Sequence, residues 1–127
     1  MAEIDDSGFK SFEANGAIPQ FARVKLLSTG KIDVAGLAEK EIGTATREAF
    51  AAGDIISVKL RSAGGTHKMI AQEALAVAAA VYTEASGKVQ DTAASTAFLV
   101  GTALTAATAD GDIVEVLYNA HGDTANA

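Results

Sequence analysis

Phe21-Ala22-Arg23-Val24-Lys25-Leu26-Leu27-Ser28-Thr29-Gly30-Lys31-Ile32-Asp33-Val34 is the stretch on which the fold class turns. Ala22, Val24 and Leu26 alternate with Arg23 and Lys25, the period of a strand with one face turned inward. Ser28-Thr29-Gly30 then supplies a turn, and Lys31-Ile32-Asp33-Val34 resumes the alternation, so the segment reads as a β-hairpin. The same grammar recurs downstream. Ile56, Val58 and Leu60 share a face opposite Ser57, Lys59 and Arg61, and Gly64-Gly65 precedes His67-Lys68-Met69-Ile70, which reads as a second hairpin. Val81-Tyr82-Thr83 and Lys88-Val89-Gln90 flank Glu84-Ala85-Ser86-Gly87, and Phe98 to Leu104 and Ile113 to Tyr118 flank a Thr/Ala/Asp/Gly loop. Turns at this spacing predict a mainly β protein, either a small β-sandwich or a partly open, tulip-like β-barrel. One run departs from the pattern: Gln72 to Ala80 is built mainly of helix formers and is equally compatible with one short helix.

Upstream of the hairpin the regular pattern stops. Residues 1–20 hold Glu3, Asp5, Asp6, Gly8, Gly16 and Pro19 and sustain neither period, so they read as an extended N-terminal arm before a β domain over 21–119 and a polar C-terminal tail over 120–127. Phe9, Phe12 and Phe21 lie in or just beyond this arm, although aromatics are scarce in segments that stay solvated. The arm is therefore expected to dock.

Length and composition bound the rest. A chain of 127 residues makes one domain, and 28 of its residues are alanines, which bury surface while filling little volume, so association with another chain is expected to supply further burial. The net charge of −6 argues against a nucleic-acid surface, which needs clustered Lys and Arg. Residues 101–127 carry four acidic groups and no Lys or Arg. The absence of cysteine removes disulfides, thiol catalysis and sulfur-ligated metals. No apolar run approaches the roughly 18 residues of a membrane span, and the first residues lack the basic region of a signal peptide. A soluble protein made in a cytoplasm is the expectation.

No motif stands out as catalytic or metal-binding. His67 and His121 fit no ligand spacing; His67 reads as a polar residue at a strand start and His121 as part of the tail. Asp110-Gly111-Asp112 with Glu115 lacks the remaining oxygens of a calcium loop and reads as a β-turn. Gly64-Gly65-Thr66-His67-Lys68 lacks the Gly-Lys-Ser/Thr ending of a phosphate loop. Arg23, Lys25, Lys31, Lys59, Arg61 and Lys68 fall on or near strands, either as one basic face or, more simply, as the solvent side of half-buried strands. Ala49 to Ile56 and Ala107 to Val114 each end a small-residue run in Gly-Asp and open a strand, with Ala74 to Val81 as a looser third copy. These mark equivalent corners and fall short of a repeat protein.

Ala49 to Val58, Val81-Tyr82-Thr83-Glu84-Ala85-Ser86-Gly87-Lys88-Val89, Val100-Gly101-Thr102-Ala103-Leu104 and Gly111-Asp112-Ile113-Val114-Glu115-Val116-Leu117 together resemble, in content and order, the capsid decoration (cement) proteins of tailed bacteriophages. The resemblance covers residues 42 to 118; the departure is Ala78-Ala79-Ala80, where the family pattern usually has a glycine before the Val-Tyr strand. It implies a structural, non-enzymatic virion protein on the outer surface of a phage head. Such a protein is made in the bacterial cytoplasm, forms a homotrimer at local threefold sites and clamps neighbouring major capsid proteins. No cofactor, nucleic acid or membrane is then required. Within that reading Ile4, Phe9, Phe12, Ile18 and Phe21 are the candidate capsid contacts, with a neighbouring subunit or their own domain as the competing destination. The rival readings are a glycan- or ligand-binding β-domain, which the absence of tryptophan disfavours, and an enzyme using His67 as general base.

Overall fold

The computed structural model describes residues 7–118 and 125–126. Among the described residues ten strands form two antiparallel sheets. In the first half these are β1 (Phe9–Glu13), β2 (Arg23–Leu26), β3 (Ile32–Val34), β4 (Gly43–Ala45) and β5 (Ile55–Leu60). The second half has β6 (His67–Ile70), β7 (Ala80–Thr83), β8 (Val89–Gln90), β9 (Leu99–Ala103) and β10 (Ile113–Tyr118). The first sheet runs β1-β5-β4-β2-β3 and the second β6-β10-β9-β7-β8, so each half repeats one strand plan in which its first strand lies beside its last. The protein is mainly β, as its alternation predicts, and neither sheet closes into a barrel.

The correspondence between halves reaches single backbone bonds. A parallel bridge joins Ala14 to Ile32 and another joins Ala71 to Val89; an antiparallel bridge joins Ile18 to Ala49 and another joins Leu75 to Ala107. Gly53 N–H donates to the Ala14 carbonyl and Gly111 N–H to that of Ala71. Asp54 accepts from the backbone of Phe50 and Ala51, as Asp112 does from Thr108 and Ala109. The two Gly-Asp phrases are therefore the same corner in two copies of one module, whereas the looser phrase at 74–81 occupies a different place. The identity of strand order makes the chain a tandem of two modules, residues 9–60 and 67–118, which the faint phrase repeat alone did not establish.

Each module wraps its sheet around its own core. Ala14, Ile18, Ala22, Val24, Ile32, Ala45, Ala49, Ile56 and Val58 fill the first, and Met69, Ala71, Leu75, Val81, Val89, Val100, Ala103, Val114 and Val116 fill the second. Ile70 crosses over: it belongs to a strand of the second sheet and packs into the first core. Gly43 and Gly101 occupy matching places in β4 and β9, where an added Cβ would lie 2.1 Å from the Lys59 carbonyl oxygen and 2.0 Å from that of Leu117. Only a residue without a side chain lets the last strand come that close.

Several expectations are corrected. Residues 9–13 of the expected extended arm dock on their own domain as the edge strand β1, paired along its length with β5, and Ile18, a candidate capsid contact, is fully buried in the first core. The Gly and Pro that disguise this segment sit at its turns and leave the strand itself intact. Gln72 to Ala80 forms no helix: Leu75 bridges Ala107, and Ala78 takes φ 71°, which ends any helical path. The hairpin expected of residues 56–60 with 67–70 does not form, because β5 pairs with β1 and β4 while β6 pairs with β10, so residues 61–66 link modules instead. The hairpin at 23–34 and that at 81–90 form as read, with Lys25 opposite Asp33 and Tyr82 opposite Gln90. Ile4, His121 and most of the expected tail lie outside the described residues; Ala125 bridges Phe98 and Asn126 bonds the backbone of Thr96 and Ala97.

Candidate interaction surfaces

The modules meet along a polar seam centred on Arg23. The alternation of β2 puts Arg23 on the face opposite the first core, and the second module covers that face, so the side chain is fully buried. Its guanidinium donates to the carbonyls of Lys88 (2.9 Å), Glu84 (2.5 Å), Gly36 (3.2 Å), Ala35 (3.3 Å) and Glu39 (3.4 Å), and to the Glu41 carboxylate (3.3 Å). The five donors of an arginine fork suit a crowd of carbonyls that a lysine could not satisfy. Glu41 also accepts from the Tyr118 hydroxyl at 2.8 Å. Burial, and then the neighbouring Glu41 charge, push the Tyr118 phenol well above its ordinary pKa of 10.0. His67 is buried beside it, edge-on to the Tyr118 ring at 4.6 Å, with Nε2 on the Leu60 carbonyl at 3.0 Å. Burial lowers its pKa below 6.5, so the ring is neutral, and Nδ1 faces no hydrogen-bonding partner. Two further bonds close the seam, Thr83 Oγ1 to the Leu37 carbonyl (2.5 Å) and Gly87 N–H to that of Ala35 (2.9 Å).

On the flank of the seam lies an open cleft of about 380 Å³, lined by Phe21, Thr46, Lys59, Thr66, Lys68 and Glu115 among others. Lys59 donates to the Thr66 carbonyl, the Lys68 ammonium lies 5.5 Å from the centre of the Phe21 ring, and Thr66 donates to Glu115 at 2.6 Å. The six basic residues weighed as one face are thus dispersed. Arg23 is internal, Lys25 pairs with Glu39 at 2.5 Å, Lys31 pairs with Glu13 at 3.2 Å, and Lys59, Arg61 and Lys68 serve the seam and cleft. Among the described residues no group of three His, Asp or Glu is placed to hold a metal ion.

Of the candidate contacts, Ile18 has no surface to offer, Phe12 and Phe21 are half-buried against the first core, and Phe9 is 43% exposed. Sequence reading passed over the larger exposed apolar groups: Phe50 and Ile55 near one corner, Ile113 at the matching place in the second module, Leu26 on β2, Val77, and Leu104 and Leu117 on the outer face of the second sheet. Strand alternation places Leu117 outward once Val116 is taken as inward, but alternation does not tell a solvated face from one awaiting a partner.

No family model matches the chain, and no curated protein matches it. Among solved structures the chain is similar to the head fiber gp8.5 N base of bacteriophage phi29, with a TM-score of 0.68 over 87% of this chain and 92% of that one. The likeness is one of fold. At 15% identity the two chains share an architecture across nearly their whole lengths while most side chains differ.

Proposed function

We propose that this chain is a structural protein of a phage virion that sits on the outside of the head and reinforces contacts between major capsid proteins. The supporting observation is the agreement of two independent likenesses: the turn phrases resemble head decoration proteins, and the fold matches the base of a phage head fiber along almost all of both chains. The described surface fits a role carried by area and shape, because exposed apolar side chains such as Phe50 and Ile55 outnumber any grouping of reactive ones. In this reading the protein is a homotrimer at local threefold sites, where three modest contacts made together hold more firmly than one. It acts without catalysis or cofactor.

The test uses expanded heads of the phage that encodes the chain, purified without it. Co-sedimentation of added protein at a saturating stoichiometry, with a rise in the temperature at which the heads release DNA, is expected. Heads that remain bare at every protein concentration would refute the proposal. Light scattering after size exclusion should report a species of three times the 12.9 kDa chain mass.

A further inference from the structure

The seam between modules joins unlike surfaces. The first module contributes the face around Arg23 and Lys59; the linker contributes Thr66, and the second module contributes Thr83 and the Glu84–Lys88 turn. Gly87 shows the asymmetry most plainly, since a Cβ there would lie 3.0 Å from both Ala22 and Val34, whereas its counterpart Gly30 in the first module has nothing within 4 Å. Each module therefore owns both halves of one contact, and the chain uses only one half of each.

The unused halves can be read off by register. Gly43 pairs with Leu60 and Thr44 with Lys59, just as Gly101 pairs with Tyr118 and Thr102 with Leu117, so Leu117 stands where the first module has Lys59. Arg23 opposes Thr44 as Ala80 opposes Thr102, so Ala80 stands where the first module has Arg23. In the other direction Leu26 stands where the second module has Thr83. All three counterparts are exposed, and two are large and apolar: Leu26 at 51% and Leu117 at 49%. Where the internal seam is polar, its unused equivalents are apolar or small, as suits a contact made between chains after folding.

We infer that a second copy of this chain docks head-to-tail, its Leu26 edge seated on the Ala80 and Leu117 face of the first, repeating between chains the junction that joins modules within one. The inference rests on the self-association in the proposed function and gives it a surface. A head-to-tail contact closes into a ring or grows into a filament, and the ring of three is the form that the proposed trimer takes.

The chain has no cysteine, which allows a direct test. Leu26→Cys combined with Ala80→Cys, treated with a short bis-maleimide, should give covalent dimers and trimers on a denaturing gel, while either single variant should give no trimer. Leu117→Glu and, separately, Leu26→Glu should reduce the light-scattering mass to that of one chain with the circular dichroism spectrum unchanged, since both positions are solvent-facing. A double-cysteine protein that runs as a monomer, or glutamate variants that keep the full mass, would overturn the inference. Head binding measured in parallel keeps the two proposals apart. Cross-linked rings that ignore heads would remove the head assignment alone, and a Leu117→Glu protein that decorates heads at full mass would remove the docking surface alone.

Discussion

Replacing Arg23 with methionine keeps most of the volume of the side chain and removes its charge and donors. The six hydrogen bonds of the guanidinium vanish together, five backbone carbonyls lose a donor, and the buried Glu41 carboxylate loses its charged partner while keeping the Tyr118 hydroxyl. Breaking a buried pair by removing one partner costs about 3–5 kcal/mol, because the remaining charge is stranded in a poorly solvating interior. Set against a total stability of roughly 5–15 kcal/mol for a domain, that is a large fraction. At about 4 °C per kcal/mol for a chain of this size, the melting temperature should fall by roughly 12–20 °C. Urea titration followed by circular dichroism measures the loss directly. Much of the cost belongs to Glu41, so Arg23→Met with Glu41→Leu should lose clearly less than the sum of the two single variants, a positive coupling expected of contacting groups. A single variant that loses under about 1 kcal/mol, or strict additivity in the double, would refute the claim that this seam holds the modules together.

Gly43→Ala and Gly101→Ala should each cost about 1–3 kcal/mol or more, because the new methyl meets backbone that cannot rotate away; chemical denaturation checks both, and near-equal losses are expected from their matching places. Ala78 holds a φ of 71°, and Ala78→Gly should relieve about 1–2 kcal/mol of left-handed strain against about 0.5–1 kcal/mol of lost chain stiffness, for a net gain of about 0–1.5 kcal/mol in chemical denaturation. The matching Phe21→Gly should lose stability instead, since the Phe21 ring packs on the first core. His67 titrates below 6.5 in the folded chain, so the unfolded chain binds more protons as pH drops under that value; the stability owed to its neutral form is full above pH 6.5 and is lost on acidification. Denaturation midpoints between pH 7 and pH 5 should fall for the native chain and fall less for His67→Phe.

The alternation of Ala22 to Leu26 and of Ile56 to Leu60 made the strands legible, and the turns at Ser28-Thr29-Gly30 and Glu84 to Gly87 made two hairpins legible, since those signals are local. Pairing of β1 with β5 and of β6 with β10 spans most of a module, and nothing in a run such as His67-Lys68-Met69-Ile70 states its partner. The poly-alanine segment misled for a related reason. Helix propensity of a few tenths of a kcal/mol per residue yields to the burial of Leu75 and its bridge to Ala107. Arg23 read as solvent-facing because the alternation gave the correct side of the strand, while the second module that covers that side is invisible to local pattern. Leu26 shares the inward parity of Ala22 and Val24, yet at the end of β2 it is 51% exposed, and an outward leucine such as Leu117 is unremarkable until the register shows which contact it would complete.

Two modules with one strand plan also pose a hazard during folding. Either final strand, β5 or β10, finds in the other module an opening strand of the right direction and length, and neighbouring repeats of alike architecture are prone to exchange strands within or between chains. The side chains of the opening strands discourage such an exchange. Lys10-Ser11-Phe12-Glu13 and His67-Lys68-Met69-Ile70, which hold matching places, share no residue at any of them, and an incoming β10 paired with β1 would forfeit the Met69 and Ile70 burial that the correct partner brings. Divergence between the halves therefore acts as a proofreading code, and variants that make the two opening strands more alike should refold with lower yield at unchanged native stability.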